Sequence, residues 1–221
     1  MGDNRKGSST IGVPAKKKAR AAAISTPLPE EAKKNQNGNY SIKIGDVEVD
    51  FLLDTTTKYQ FEDGITSSDT TQSDLKAPHY ALDARGLIKS FDKLPPVVIS
   101  IYTVYRKGAK KLSDSKYGRG TTFWDRLFMT TSLQFHEGTH GSAIVDFLTR
   151  NPHPVFGGEV GMKEKEFKKE WVKYVKEIES YYKEMQLRQQ RDIECVGKPS
   201  KETFADGTTC STLATPNPKY K

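Results

Sequence analysis

The chain has 221 residues, a formal net charge of +7 and 35% apolar residues. That apolar share lies below the ordinary ~45–50%, yet 10 Tyr, 10 Phe and 2 Trp exclude a wholly disordered chain; one domain with tails is the expectation. No stretch approaches the ~18–20 apolar residues of a membrane span, and Ala21–Ile24 is too short for the ~7–15-residue apolar core of a signal peptide.

The charge is unevenly placed. Residues 1–34 hold eight basic side chains, including Lys16, Lys17 and Lys18, against three acidic ones, a net +5; the rest of the chain carries only +2. A near-neutral body makes nucleic acid a disfavoured partner. Residues 1–36, rich in Gly, Ser, Lys, Ala and Pro with almost no apolar period, read as a disordered basic arm.

Order is expected from Asn39 onward, in a body spanning 37–195. In SIKIGDVEVDFLL the apolar residues alternate on either side of Gly45-Asp46, the pattern of a β-hairpin. Residues 54–78, rich in Thr, Ser and Asp, suggest a long loop or a weakly paired strand, and 80–91 a short helix or turn. Val97–Tyr105 is β-branched and aromatic throughout and follows Pro95-Pro96, which excludes a helix there. Residues 106–120 form a basic, Gly-containing loop. From Thr121 the period becomes helical over two linked segments ending at Asn151-Pro152. A second long helix runs from about Met162 to about Ile193, with Phe167, Trp171, Tyr174, Ile178 and Tyr181 on its apolar stripe. The fold class this implies is α+β, a small twisted antiparallel sheet packed on a helical half. Residues 196–221 form a polar tail, where Cys195 and Cys210 invite a disulfide. Two cysteines cannot build a zinc ribbon.

The chemistry concentrates in the first long helix. Phe135-His136-Glu137-Gly138-Thr139-His140 contains H-E-x-x-H. Residues four apart share one helix face, so both imidazoles reach one ion. Glu137 stands beside them as the candidate base: zinc lowers the pKa of a bound water to about 7, and the carboxylate takes its proton. His136 and His140 are the candidate ligands, and Zn2+ the implied cofactor.

This motif, with its strand-then-helix order, resembles the zincin metallopeptidases over about residues 95–195. More loosely, I-S-I-Y-T, W-D-R-L, F-H-E-G-T-H and a long helix ending Q-Q-R-D resemble a family of bacterial predicted secreted zinc-dependent proteases. The resemblance implies an H-E-x-x-H helix packed under a twisted sheet, with an edge strand that binds extended peptide. By that analogy Val97–Tyr105 is the strand near the cleft, and the substrate is protein or peptidoglycan peptide.

The third ligand has three candidates. Asp146 gives HExxHxxAxxD, which resembles the metzincin pattern with Asp in the last place. Yet Ala143 replaces the helix-breaking Gly, and on an unbroken helix Asp146 points ~120° from His140. Glu159 has a separation from His140 that resembles the shorter gluzincin spacing, but falls in a Gly-rich turn. Pairing the two helices antiparallel puts position 170 opposite His140, and Glu170 edges the apolar stripe, where a charged group needs a partner. The order of preference is Glu170, Glu159, Asp146. Tyr174 and Tyr181 are candidate oxyanion donors, and Asp192 a candidate support for a ligand imidazole. His153, between two prolines, reads as a surface histidine, and His79 carries no assignment.

The leading expectation is therefore a zinc hydrolase, most simply a metallopeptidase. The absence of an apparent leader, the basic arm and the disulfide favour export by a leaderless route, to an extracellular or periplasmic space, over cytoplasmic residence; a bacterial secreted effector or phage-type lytic factor fits. The alternatives are a binding module for an anionic polymer or nucleic acid, using the arm and Arg106-Lys107-Gly108-Ala109-Lys110-Lys111, and a protein that holds zinc without catalysis. No pattern sets an oligomeric state.

Overall fold

The computed structural model describes residues 24–58, 63–72, 75–201, 203–204 and 206–220. The chain is α+β. In order it forms β1 (Lys33–Lys34), β2 (Tyr40–Ile44), β3 (Val47–Phe51), β4 (Thr55–Thr57), β5 (Gly64–Thr70), β6 (Tyr80–Leu82), β7 (Ile88–Phe91), β8 (Val97–Arg106), α1 (Phe123–Leu127), α2 (Leu133–Arg150), α3 (Glu164–Gln189) and a π-helical turn, Gln190–Glu194.

The β2–β3 hairpin forms where the alternation placed it, with Gly45 at φ 58° in the turn. Residues 80–91 are a second small hairpin rather than a helix or simple turn. The Asp83 carboxylate accepts the amides of Arg85 and Leu87 and closes its tip.

The main sheet is mixed, not antiparallel as expected. After the hairpin the chain departs through β5 and the β6–β7 ribbon. It returns as β8 alongside β3 in the same direction, so β3 and then β4 pair with β8 in parallel. β5 lies antiparallel on the other side of β8, with Gly64 opposite Tyr105 and Thr70 opposite Ile99. β8 is thus central, with neighbours along both edges. Its Ile99, Ile101, Thr103 and Tyr105 alternate onto one buried face. With Val49 and Phe51 of β3, the two isoleucines meet Ile144 and Phe147 of α2 and Tyr181 of α3 in the core.

Part of the expected arm is structured. Residues 1–23 lie outside the described residues, but 24–36 are a packed strap. Ile24 is buried in the core, and the Ser25 amide and hydroxyl bond the two carboxylate oxygens of Asp54 at 2.9 and 2.8 Å. The strap crosses α2 where Gly138 and Gly141, three residues apart, leave one face bare. A Cβ at Gly138 would overlap the Ser25 carbonyl oxygen, and one at Gly141 would overlap the Thr26 hydroxyl. The sequence concealed this because a strap held by backbone approach into a glycine notch needs no apolar period.

The C-terminal residues also pack. Tyr220 is buried against Phe147 and Tyr181, and Cys195 and Cys210 form a disulfide. The β6–β7 ribbon carries its own aromatic cluster, with Phe167 of α3 5.3 Å from Tyr80 and 5.1 Å from Phe91 between ring centroids.

His153 is half-buried between these parts. Its Nδ1 faces the Pro154 carbonyl oxygen at 2.9 Å, an acceptor, so Nδ1 carries the proton. Nε2 then accepts from the Tyr182 hydroxyl at 3.1 Å. Burial holds its pKa below the ordinary 6.5.

Two outcomes are expected. Gly141→Ala should lower stability in urea unfolding by roughly 1–3 kcal/mol, the range for overpacking a tight contact. His153 binds its proton more weakly in the folded state, so its contribution is complete above pH 6.5 and declines as the pH falls from there toward the folded value. The loss of stability between neutral and mildly acidic pH should therefore be smaller in His153→Gln than in the wild type, measured by urea midpoints across that range.

Candidate metal centre

Helix α2 starts at Ser132, whose hydroxyl accepts the Phe135 amide at 3.1 Å. One turn on, His136 and Glu137 are almost fully buried, and His140 is buried at the next turn. Polar groups in such a place require partners. His136 Nδ1 donates to the Arg119 carbonyl at 2.9 Å, since that oxygen can only accept. This fixes the ring and turns Nε2 inward. Glu194 Oε1 lies 2.8 Å from His140 Nε2 and 3.5 Å from His136 Nε2.

His136, His140 and Glu194 each offer one ligand atom, and all three atoms lie within 4.8 Å of one another. This donor set of two imidazoles and one carboxylate is one that zinc accepts while keeping a position open. Burial alone would raise the Glu194 pKa, but hydrogen bonds to His136 and His140 bring it down to about 2. Burial opposes charge on His136, yet Glu194 beside it holds its pKa above the ordinary value. Burial pushes the Glu137 carboxyl upward. Its Oε2 is buried without a hydrogen-bond partner among the described residues, as a group kept for a ligand would be.

Three segments close around the pair of histidines. The π-helical turn brings Glu194 inward, with the Cys195 amide bonded five residues back to the Gln190 carbonyl at 3.0 Å. The loop before α1 wedges between α2 and that turn: the Arg119 amide donates to the Ile193 carbonyl at 2.8 Å. Gly118, at φ 60°, sits where a Cβ would overlap the Ile193 oxygen and stand 2.9 Å from His136 Cε1. From the sheet, β5 presents Gly64, where a Cβ would stand 2.8 Å from Glu137 Oε1.

Glu137, His140 and Glu194 line a cavity of about 570 Å³. Thr66, Ser68 and Thr70 of β5 flank one side and Gln186 and Gln189 of α3 another. The strand with a free edge beside this cavity is β5; Val97–Tyr105 contributes only Ile99 to the lining. That strand is central and paired on both sides, so it has no edge to offer, whereas β5 pairs with β8 alone among the described residues.

The three expected third ligands are elsewhere. Asp146 is ion-paired to Arg150 at 2.9 Å on the exposed side of α2, Glu170 to Lys173 at 3.6 Å, and Glu159 is exposed in the turn before α3. The hairpin assumption failed because residues 151–163 are not a tight turn. They run out to the β6–β7 ribbon, where the Gly161 amide bonds the Ile88 carbonyl, before α3 begins. In the resulting register Tyr181 meets Phe147 and bonds the Asn151 carbonyl, so the chain reaches His140 only beyond Leu187. Sequence reasoning missed Glu194; its one signal was a carboxylate at the end of a long helix, beside a cysteine.

The candidate oxyanion donors are misplaced as well. The Tyr181 hydroxyl is committed to Asn151 in the core, and the Tyr174 hydroxyl accepts from Gln72 Nε2 at 2.9 Å beside a different cavity. Asp192 is exposed and pairs with Arg191. Polar groups that do line the metal-side cavity include Tyr182 and Gln186.

No protein-family model, curated protein or solved structure matches the chain.

Measured by titration with added zinc, Glu194→Ala should lose more affinity than the roughly 10–100-fold that loss of a mere supporting partner costs. Glu170→Ala, Glu159→Ala and Asp146→Ala should titrate as the wild type does.

Proposed function

We propose that the protein is a zinc-dependent peptidase of zincin type. The observation that carries this reading is the convergence of His136, His140 and Glu194 beside an unpartnered Glu137 oxygen, at the wall of an open cavity. His136, held by the Arg119 carbonyl, His140 and Glu194 would hold the ion. When bound, zinc supplies Lewis-acid polarisation of a carbonyl and of water.

The chain's own groups supply the rest. An extended peptide lies along the outer edge of β5 and is aligned by backbone hydrogen bonds, which place its scissile amide over the cavity. Glu137 Oε2 accepts a proton from the attacking water and returns it to the leaving amine, a role suited to a carboxyl whose pKa burial has raised. Gly64 keeps the space that this carboxylate occupies. The substrate class is protein or peptidoglycan peptide, and the Cys195–Cys210 disulfide supports an oxidising destination, extracellular or periplasmic. No helix among the described residues is long and apolar enough to cross a membrane.

Glu137→Gln is expected to bind zinc as the wild type does while hydrolysing a casein or peptidoglycan-peptide substrate about 10²–10⁴-fold more slowly. His136→Ala should lose both metal and activity. A wild-type protein that neither contains nor takes up zinc by elemental analysis would overturn the reading.

A further inference from the structure

Around α1 the usual order of a protein surface is reversed. Asp125, the acidic residue, is buried, and its carboxylate takes hydrogen bonds from Arg119 and from the amides of Gly120 and Thr122. The large apolar side chains on either side of it face outward. Phe123, Trp124, Leu127, Phe128 and Met129 run from 55% exposed at Leu127 to 90% at Met129. Contiguous exposed apolar surface of this kind marks an interaction site.

The platform is built, not frayed. Thr122 and Asp125 form a reciprocal cap, and the Thr130 amide returns to the Asp125 carbonyl at 2.8 Å. Trp124 and Phe128 stack with ring planes 17° apart, and Phe123 sets its edge against Trp124. Leu112 is also exposed, on a segment whose backbone is bonded to residues 131–134 just beyond the platform.

The stretch that carries this face is mainly basic, with Arg106 and Lys116 paired to Asp63, Lys111 to Asp54 and Arg119 to Asp125. Residues 106–131 contain seven basic side chains and two acidic ones, and one of the two is the buried Asp125. Lys107, Lys110 and Arg126 are exposed. Exposed Trp, Phe, Leu and Met accompanied by Lys and Arg match the headgroup–acyl boundary of a bilayer, where aromatic rings settle and cations meet anionic lipid.

We propose that this face docks the protein on an anionic membrane surface, with Trp124, Phe128 and Met129 entering the interface and the neighbouring basic side chains meeting the headgroups. The docked platform is continuous with the loop that carries the Arg119 carbonyl, so the candidate metal centre is held in a fixed relation to the bilayer. The inference does not depend on the centre being a peptidase.

The test uses the full chain carrying Trp171→Phe, which leaves Trp124 as the sole tryptophan. It is mixed with phosphatidylcholine vesicles, with and without phosphatidylserine. A blue shift of Trp124 emission and its quenching by brominated lipid are expected with the anionic vesicles, fading as salt is raised. In co-sedimentation of the otherwise wild-type chain, Trp124→Ala/Phe128→Ala should weaken binding by about tenfold or more, and Arg126→Gln by about fivefold. Circular dichroism checks that each variant is folded. An emission spectrum unmoved by anionic vesicles overturns the proposal, as a protein-docking face would give. So does undiminished vesicle binding by the folded double variant, as attachment through the N-terminal lysines would give.

Discussion

A helix that turns two imidazoles and a carboxylate into the protein interior creates an electrostatic demand that the surrounding chain must meet. His136, Glu137 and His140 leave water together, and each would be costly there without a partner. The answers come from widely separated segments: a carbonyl at Arg119, a carboxylate at Glu194 and, beside Glu137, the hydroxyl of Thr66. Close approach is what makes these answers possible. Gly64 and Gly118 let sheet and loop come against the polar face of α2, while Gly138 and Gly141 let the strap come against another. Four glycines on three sides of the same two helical turns are more economically explained by this convergence than by four separate turn requirements.

The strap and the polar cluster are linked through Tyr105. Its hydroxyl lies 2.6 Å from Ser25 Oγ, and burial with the nearby charges of Asp54 and Glu137 pushes its pKa far up. Tyr105 therefore stays neutral and remains a hydrogen-bonding post between the first packed residues of the chain and the sheet. Asp54, which holds Ser25, is itself paired to Lys111 at 2.7 Å. Strap, sheet and basic loop thus share one buried carboxylate, and a change in any of the three is felt by the other two.

Much of the fold was legible. The alternation around Gly45-Asp46, the β-branched run at 97–105 and the helical period after Thr121 each produced the element expected, because each rests on a local pattern repeated several times. The paired histidines were legible for the same reason, being set by helix geometry alone. What could not be read depends on long-range placement. Nothing in residues 47–51 or 97–101 says that they run in the same direction; that follows from where the intervening chain goes. The position of Glu194 depends on how far residues 151–163 wander before α3 starts, and the antiparallel pairing that set position 170 opposite His140 allowed too short a connection. Residues 24–27 lacked a pattern because they pack through one isoleucine, backbone atoms and small polar side chains, with no repeat for a period to show.

Glu194 and Cys195 are neighbours, and the bond to Cys210 closes a loop directly behind the carboxylate. Such a closure restricts the unfolded chain by up to about 3 kcal/mol in the chain-entropy account. Here that restriction falls on the one arm of the triad that does not come from α2. The geometry of the centre is consequently tied to thiol chemistry: where the cysteines are reduced, Glu194 is held by the π-helical turn, its backbone bonds and its contact with His140, without a covalent tether. A chain made in a reducing compartment would carry its two histidines in place from the moment α2 packs, with the third arm tethered only after oxidation.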